Sequence, residues 1–189
     1  TKIALSAKQT KFLSTASGQH NRTLDQALLP ELNEVLKTDI GKPKFIVLHL
    51  MGNHFKYVNR YPSSFNALFE KSSTVDDLTK RQVIKNQYDR AIVNNDYVIS
   101  EVIKSVKKHA IHSAVLFVSD HGEEFNEHGG FWHGTTLYDE VLHVPLIIKT
   151  PTNGAKKQRI PWQVRAIDIA PTITELLGLP TDESWEGEA

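Results

Sequence analysis

Asp120 and His121 place a carboxylate beside an imidazole at the end of an apolar segment. Within a regular strand, adjacent side chains point to opposite faces. At the end of a strand, a turn relaxed by Gly122 allows both side chains to reach one cation. This pair suits zinc or manganese, and with further oxygen ligands it suits magnesium or calcium. Two ligands are too few for a complete site, and the alternative interpretation is a strand-to-loop turn with a capping Asp and a surface His.

The composition directs metal chemistry to histidine and carboxylate side chains. The chain has 189 residues with no Cys and nine His, so thiolate zinc sites, Fe–S clusters and a cysteine nucleophile within the chain are excluded. Its 22 basic and 22 acidic residues balance to zero net charge. This balance argues against a nucleic-acid partner and against a polybasic membrane anchor.

Hydrophobic periodicity predicts an α/β fold that positions these residues. Apolar runs predict buried strands, and apolar residues at helical spacing predict helices. Because strands and helices alternate, the sheet should be mostly parallel, with helices on its faces and ligands beyond the carboxyl ends of its strands. The predicted strands are 45–51, 114–118 and 144–148, and the predicted helices are 23–37, 78–108 and 168–177.

The segments around these strand ends resemble a known family. The chain reads Ser-Asp-His-Gly over 119–122, continues through Gly130 to His133 and Gly134, and carries Gly-Asn-His over 52–54. Together with segment 166–172, these motifs resemble the sulfatase-like branch of the alkaline phosphatase superfamily. The resemblance implies an alkaline-phosphatase-like three-layer sandwich with a mostly parallel sheet flanked by helices, truncated at its N-terminal side. Residues 1–189 would then form the C-terminal portion of a single catalytic domain.

The resemblance also implies roles for particular residues. Asp120 and His121 match the family's late pair of metal ligands, for a divalent metal that is expected to be zinc, with manganese, magnesium and calcium as alternatives. His54 and His133 match histidines that meet the transferred group or a second metal. In phosphoryl and sulfuryl transfer, negative charge spreads over peripheral oxygens, so cations and N–H donors there stabilise the transition state.

The other candidate residues have structural alternatives. His49 lies within a predicted buried strand and is expected to be a packed core residue. His109 and His112 lie near a helix end, where a protonated ring favours the dipole, and His143 precedes a strand. His128 is near the motif without matching a ligand position. Four further side chains could contact a head group or line a pocket, or could simply belong to an aromatic loop: Tyr57, Arg60, Tyr61 and Trp132.

The family's nucleophile is not recognisable in this sequence. Ser14, Thr15 and Ser17 lie in no strand–turn–helix context that would activate a hydroxyl. The expectation is therefore a chain that is the C-terminal part of a larger, membrane-tethered protein, with the nucleophile and early metal ligands upstream. On this expectation the isolated fragment is inactive.

Three functions remain open at this point. The first is a phosphoethanolamine-type transferase acting on a lipid or glycan, favoured by the 52–62 segment and by His133. The second is a sulfatase, or sulfuric ester hydrolase, favoured by segments 137–140 and 144–148. The third is a catalytically inactive scaffold. The resemblance implies a periplasmic location at the outer face of the inner membrane, with a substrate that carries a phosphate or sulfate ester.

Overall fold

The structure is a computed structural model, and it describes residues 5–14, 22–69, 81–110, 112–151 and 157–189. Thr15, Ser17 and the predicted start of the long helix at 78–80 lie outside these ranges. The described part of the chain contains no helix that combines the length and apolar character needed to cross a bilayer.

The helices largely follow the predicted periodicity. The first predicted helix begins as a 3-10 turn over Asp25–Ala27 and continues as α1, Leu28–Lys37. The long helix α2 spans Arg81–His109, and the short helix α3 spans Asp139–Leu142. A further 3-10 turn over Ala166–Asp168 leads into α4, Ile169–Leu176. Gly178, at φ +64°, follows α4 in the left-handed conformation that commonly ends helices.

The strands form two small sheets. Strand β1, Val115–Val118, pairs with β4, Leu146–Lys149. Strands β2, Glu124–Phe125, and β3, Phe131–Trp132, form an antiparallel hairpin in which Glu124 faces Trp132. Helices and sheets are therefore both present as expected. The larger, mostly parallel sheet of a three-layer sandwich stays a prediction.

The predicted strand at 45–51 is wrong. The structure assigns no strand to this segment, and Phe45 and Val47 are 72% and 52% exposed. Its apolar residues match a buried strand by composition, but a strand also requires a neighbour that bonds its N–H and C=O groups. His49, expected in the core of that strand, is exposed for the same reason.

Two compact units make up the chain. The first contains residues 1–111 and 117–146, and the second contains 112–116 and 147–189. The core of the first unit is largely aromatic, because Tyr57, Tyr61 and Phe125 pack against Ile84 and Ala91 of α2. Tyr57 is completely buried and meets the rings of Tyr88 and Phe125 at centroid distances of 5.1 and 6.1 Å. This cluster anchors the hairpin and the 57–61 segment to α2.

Candidate active site

A hairpin brings two distant histidines together. After β1, the chain passes through Asp120 and His121, forms the β2–β3 hairpin and then reaches His133. The turn closes through a 2.7 Å hydrogen bond from the N–H of Asn126 to the carbonyl of Gly130. As a result, the imidazoles of His121 and His133 stack with centroids 3.7 Å apart and planes 26° apart. The two imidazoles therefore lie side by side.

The hydrogen bonds of the two rings define their tautomers. Nδ1 of His121 lies 2.8 Å from the carbonyl oxygen of Gly122, and Nδ1 of His133 lies 2.8 Å from Oε1 of Glu123. Carbonyl and carboxylate oxygens only accept, so we assign the proton to Nδ1 in both neutral rings. Nε2 of each ring then keeps its lone pair for a metal or a proton.

Glu123 is the main site residue that the sequence motifs did not reveal. Its side chain is only 4% exposed, and its second carboxylate oxygen, Oε2, accepts a 2.7 Å hydrogen bond from the hydroxyl of Tyr57. Burial, followed by the bond to Glu123, raises the pKa of Tyr57, so the phenol remains a donor. The aromatic core therefore fixes Glu123, and Glu123 fixes His133. The available signal was the position of Glu123 next to Gly122 within the recognised motif.

Asp120 lies beside His121 but is mostly exposed. Its carboxylate accepts the backbone N–H of His121 at 3.0 Å, and Oδ1 lies 3.8 Å from Nε2 of His121. Two ligands about 2.0–2.1 Å from a tetrahedral zinc ion are themselves about 3.4 Å apart. A small rotation of the Asp120 side chain, which is 86% exposed, would reach that spacing. The nitrogen and oxygen donors therefore fit the implied divalent metal.

The pair does not complete a metal site by itself. In the ranges that the structure describes, no three His, Asp or Glu side chains converge as a potential metal site.

His54 lies on a separate turn of the same unit. It is exposed, and its Nδ1 is 2.5 Å from the carbonyl oxygen of Phe55, so it too carries the proton on Nδ1. The neighbouring Phe55 packs on Trp132 with ring centroids 4.6 Å apart, and Trp132 directly precedes His133. The two segments that carry His54 and His133 are thus linked through aromatic contact. A common site for the two imidazoles stays a prediction.

An open pocket of about 390 Å³ lies next to the histidine pair. This volume is within the range of small-ligand sites. Neither Asp120 nor His54 is among the residues that line it. The lining consists of His121, His133, Gly134, Thr135, Thr136, Leu137 and Val141.

Helix α3 packs against Gly122 and contributes Val141 to the pocket wall. The N–H of Gly122 donates a 2.7 Å hydrogen bond to the carbonyl of Val141, which also lines the pocket. A Cβ atom at position 122 would lie 2.1 Å from the carbonyl oxygen of Glu140. Only glycine permits this close approach. Gly122 therefore serves packing against α3 as well as the turn proposed from sequence.

Glu124 organises the hairpin turn. It is fully buried, and its carboxylate accepts hydrogen bonds from the N–H groups of His128 and Gly130 and from the hydroxyl of Thr136. Burial alone would raise its pKa, but these bonds, Thr136 first, hold the pKa below its usual range. The ionised carboxylate thus joins the hairpin turn to the pocket wall at Thr136.

The remaining candidates have packing roles. Tyr57, Arg60 and Tyr61 are buried, which places them in the loop core, where a head group would not reach them. Trp132 packs among aromatic rings. His128 stacks on Tyr138 and lies 3.1 Å from Glu140, away from the pocket lining.

Comparison with known families agrees with this geometry. The sulfatase family model matches residues 2–179, nearly the whole chain. The chain therefore belongs to the sulfatase family, which confirms the resemblance drawn from its motifs.

Curated proteins that the chain is similar to include phosphoethanolamine transferases. The chain is 39% identical over 129 residues to Kdo(2)-lipid A phosphoethanolamine 7''-transferase of Escherichia coli K12, covering 66% of this chain and 22% of the relative. It is 36% identical over 120 residues to phosphatidylethanolamine transferase Mcr-2 of Escherichia coli, covering 61% and 22%. The chain thus spans about a fifth of the length of these curated relatives.

A solved structure shares the fold. The zinc complex of the C-terminal periplasmic domain of EptC from Escherichia coli superposes with a TM-score of 0.66 at 27% identity. The match covers 79% of this chain and 44% of that domain. The fold is therefore sulfatase-like.

Proposed function

We propose that this chain forms part of the catalytic domain of a metal-dependent phosphoethanolamine transferase that acts on a lipid or glycan. The observation that carries the proposal is the stacked pair His121 and His133, whose Nδ1 atoms are both hydrogen-bonded, which leaves both Nε2 atoms as acceptors or metal ligands. The similarity to phosphoethanolamine transferases of Escherichia coli supports the identity of the transferred group.

Asp120 and His121 would hold the metal, for which we propose zinc. A backbone carbonyl accepts the Nδ1–H of His121 and orients the ring, which leaves Nε2 as the metal ligand. When bound, a divalent zinc ion polarises phosphoryl oxygens and stabilises the charge that develops on them. The zinc complex of the EptC domain supports this choice of metal.

His133 would carry a proton during transfer. Unlike His121, it donates Nδ1–H to a buried carboxylate, Glu123. A carboxylate stabilises the imidazolium that forms when Nε2 takes up a proton. His133 is therefore the better of the two rings for donating a proton to a leaving alkoxide or a hydrogen bond to a phosphoryl oxygen.

His54 would contact the transferred phosphoryl group. Its exposed ring has a free Nε2 and lies on a turn that aromatic contacts link to the His133 segment. The open pocket of about 390 Å³ would accommodate a small head group.

The similarity to EptC also supports a proposal for the domain and the cellular location to which this chain belongs. We propose that residues 1–189 belong to one domain with the three-layer, mostly parallel sheet of the family. We place it on the periplasmic face of the inner membrane, in a protein that is tethered to that membrane. The similarity to EptC supports this location, because the matching part of EptC is a C-terminal periplasmic domain.

Histidine NMR tests the proposal directly. The chain is titrated first with Zn²⁺ and then with O-phosphoethanolamine, while the ring nitrogens of His121, His133 and His54 are observed. Zn²⁺ should shift Nε2 of His121, and O-phosphoethanolamine should then shift the signals of His133 and His54. The variant His143→Gln is a matched control, because His143 is exposed and does not line the pocket.

Two outcomes would contradict the proposal. One is a zinc response at His121 followed by no response of His133 or His54 to O-phosphoethanolamine. The other is a stronger response to inorganic sulfate, which would favour a sulfatase. Transfer itself is tested by mass spectrometry of lipid A from cells that produce the membrane-tethered protein to which we propose this chain belongs, where a phosphoethanolamine group is expected with wild type and His143→Gln but is absent with His133→Gln.

A further inference from the structure

Asp25 contacts the turn that carries His54 from a distant part of the sequence. Its Oδ1 accepts the N–H of Met51 at 3.0 Å, and its Oδ2 accepts the N–H of Gly52 at 2.8 Å. One carboxylate thus binds two consecutive backbone N–H groups, 26 and 27 residues away. Hydrogen bonds to an ionised acceptor are stronger than neutral ones, so this contact restrains the turn on its N-terminal side.

Arg60 holds the same turn from its other end. Arg60 is only 3% exposed, and its Nε donates a 2.9 Å hydrogen bond to the backbone carbonyl of His54. The turn is also closed by a 3.0 Å bond from the N–H of His54 to the carbonyl of Met51. The backbone of His54 is therefore held through both its N–H and its C=O.

Gln26, the neighbour of Asp25, connects the same helix start to Arg60. Its amide donates to Oδ1 of Asn94, and Nδ2 of Asn94 donates a 2.8 Å bond to the carbonyl of Arg60. Asn94 is 2% exposed, so this link is shielded from water. Asp25 and Gln26 thus fix the two ends of segment 51–60 against one 3-10 turn.

The charges in this arrangement are complementary. Burial raises the pKa of Asp25, while the bonds from Met51 and Gly52 and the attraction to Arg60 oppose that rise. Burial likewise lowers the pKa of Arg60, and Asp25 opposes that change. Each group therefore offsets part of the cost of burying the other.

We propose that Asp25 is a positioning residue for His54, acting through the Met51 and Gly52 amides to fix the turn that presents its imidazole. The importance of this role rests on the function proposed above for His54. The contact of Asp25 with the Met51 and Gly52 amides does not depend on that function, because its hydrogen bonds can be observed without substrate. A residue that merely stabilised the fold would affect all the histidines, whereas a positioning residue affects His54 selectively.

The test compares Asp25→Asn with Asp39→Asn in the full chain. Asp39 is a matched control, since it also accepts a backbone N–H, that of Gly41 at 2.8 Å, within the same unit. In Asp25→Asn one of the two amide bonds is lost, because the side-chain NH2 group cannot accept. We expect hydrogen exchange of the Met51 and Gly52 amides to accelerate at least about tenfold, with little change in Asp39→Asn.

The tautomer of His54 gives a second readout. Ring ¹⁵N spectra of wild type should show His54 protonated on Nδ1, as its contact with Phe55 requires. Asp25→Asn should shift these signals toward a mixture of tautomers, while the signals of His121 and His133 stay in place. If exchange and His54 signals in Asp25→Asn match those in Asp39→Asn, the proposal is wrong.

A measurement on wild type covers the case in which Asp25→Asn does not fold. The Met51 and Gly52 amides should exchange more slowly than that of Val47, in the preceding segment that has no assigned helix or strand. Equal exchange rates would overturn the proposal. If His54 in wild type fails to respond to O-phosphoethanolamine, the proposed function of His54 fails, and the exchange and tautomer data still decide the role of Asp25.

Discussion

Oε1 of Glu123 lies 2.8 Å from Nδ1 of His133, while the other oxygen of the same carboxylate accepts the hydroxyl of Tyr57. His121, stacked on His133, has a backbone carbonyl in the corresponding position. Both rings carry a proton on Nδ1, but the acceptor of that proton is a neutral carbonyl for His121 and a carboxylate for His133. This difference is the basis on which we propose His121 as the metal ligand and His133 for proton transfer, since a carboxylate stabilises an imidazolium.

Replacing Glu123 by Gln should impair His133 without unfolding the protein. The substitution keeps the shape but removes the negative charge that would stabilise an imidazolium. Losing such a supporting group typically costs about 10–100-fold in metal affinity or activity. We therefore expect a loss of that size in the O-phosphoethanolamine affinity of the zinc-loaded chain, measured by calorimetry.

The matched control is Glu101→Gln, which removes the same charge from an exposed ion pair with Lys104 on α2. It should bind O-phosphoethanolamine as wild type does. Equal affinities for Glu123→Gln and Glu101→Gln would show that the carboxylate behind His133 has no functional role.

Zinc affinity should depend on His121 more than on His133. Oδ1 of Asp120 is already 3.8 Å from Nε2 of His121, close to the spacing of two ligands on one zinc ion. We expect His121→Ala to weaken Zn²⁺ binding by at least about tenfold, because a ligand is lost from an incomplete set. Calorimetric titration checks this, with His143→Gln as a surface control. A larger loss in His133→Ala than in His121→Ala would reverse our assignment of roles.

The sequence predicted those helices and strands whose residues show a clear local pattern of apolar side chains. The helix at 28–37 and the strand at 115–118 follow from periodicity and from β-branched apolar runs. Segment 45–51 has the same composition as a strand, yet the structure gives it none, because pairing depends on a neighbour that composition does not reveal. His49 was misplaced together with that strand.

The candidate site shows the same contrast between residues that local motifs indicate and residues that depend on the tertiary fold. Asp120, His121, His54 and His133 were recognisable from residue type and motif. The supporting residues were not, since Glu123 is held by Tyr57, which lies 66 positions away, and Asp25 bonds to amides more than 25 positions away. Such contacts depend on the tertiary fold, and a backbone N–H that meets a carboxylate leaves no mark in the sequence.

The aromatic core should be sensitive to cavities. Ile84 is 1% exposed and packs in the cluster that contains Tyr57 and Phe125. Ile84→Ala should lower the free energy of unfolding by about 2–4 kcal/mol, through lost burial and a residual cavity. Ile92→Ala, on the same helix but 42% exposed, should cost under about 1 kcal/mol. Urea unfolding measures both, and similar losses would contradict the packing of Ile84 in the aromatic cluster.

The second unit should lose stability in acid through Asp168. Backbone N–H groups of Arg165 and Glu188, 2.8 and 3.1 Å away, together with the Arg165 guanidinium, hold the pKa of Asp168 below its usual 3.8. A lowered pKa contributes stability above about pH 4, and that contribution disappears as the pH falls through the folded-state value.

Comparison of wild type with Asp168→Asn isolates this effect. Wild type should unfold at higher urea concentration than Asp168→Asn at pH 7, and the two midpoints should converge as the pH falls through the folded-state pKa of Asp168. Far-UV circular dichroism follows the unfolding, and a ¹³C titration of the carboxyl carbon checks the direction of the pKa shift. A difference between the midpoints that is independent of pH would mean that the charge of Asp168 is not the cause.

Gly122→Ala should disrupt the site by steric means alone. The added Cβ would lie 2.1 Å from the main-chain oxygen of Glu140, and main-chain atoms cannot rotate away as a flexible side chain can. Either α3 or the 120–122 turn must shift, at a cost of about 1–3 kcal/mol. A shift of the turn would alter the spacing of Asp120 and His121, so the variant should lose Zn²⁺ affinity even though it removes no ligand. Thr135→Ala, which alters the same pocket without touching the backbone contact, should retain that affinity in calorimetric titration. Wild-type zinc binding by Gly122→Ala would show that the close contact between the turn and α3 does not hold His121 in place.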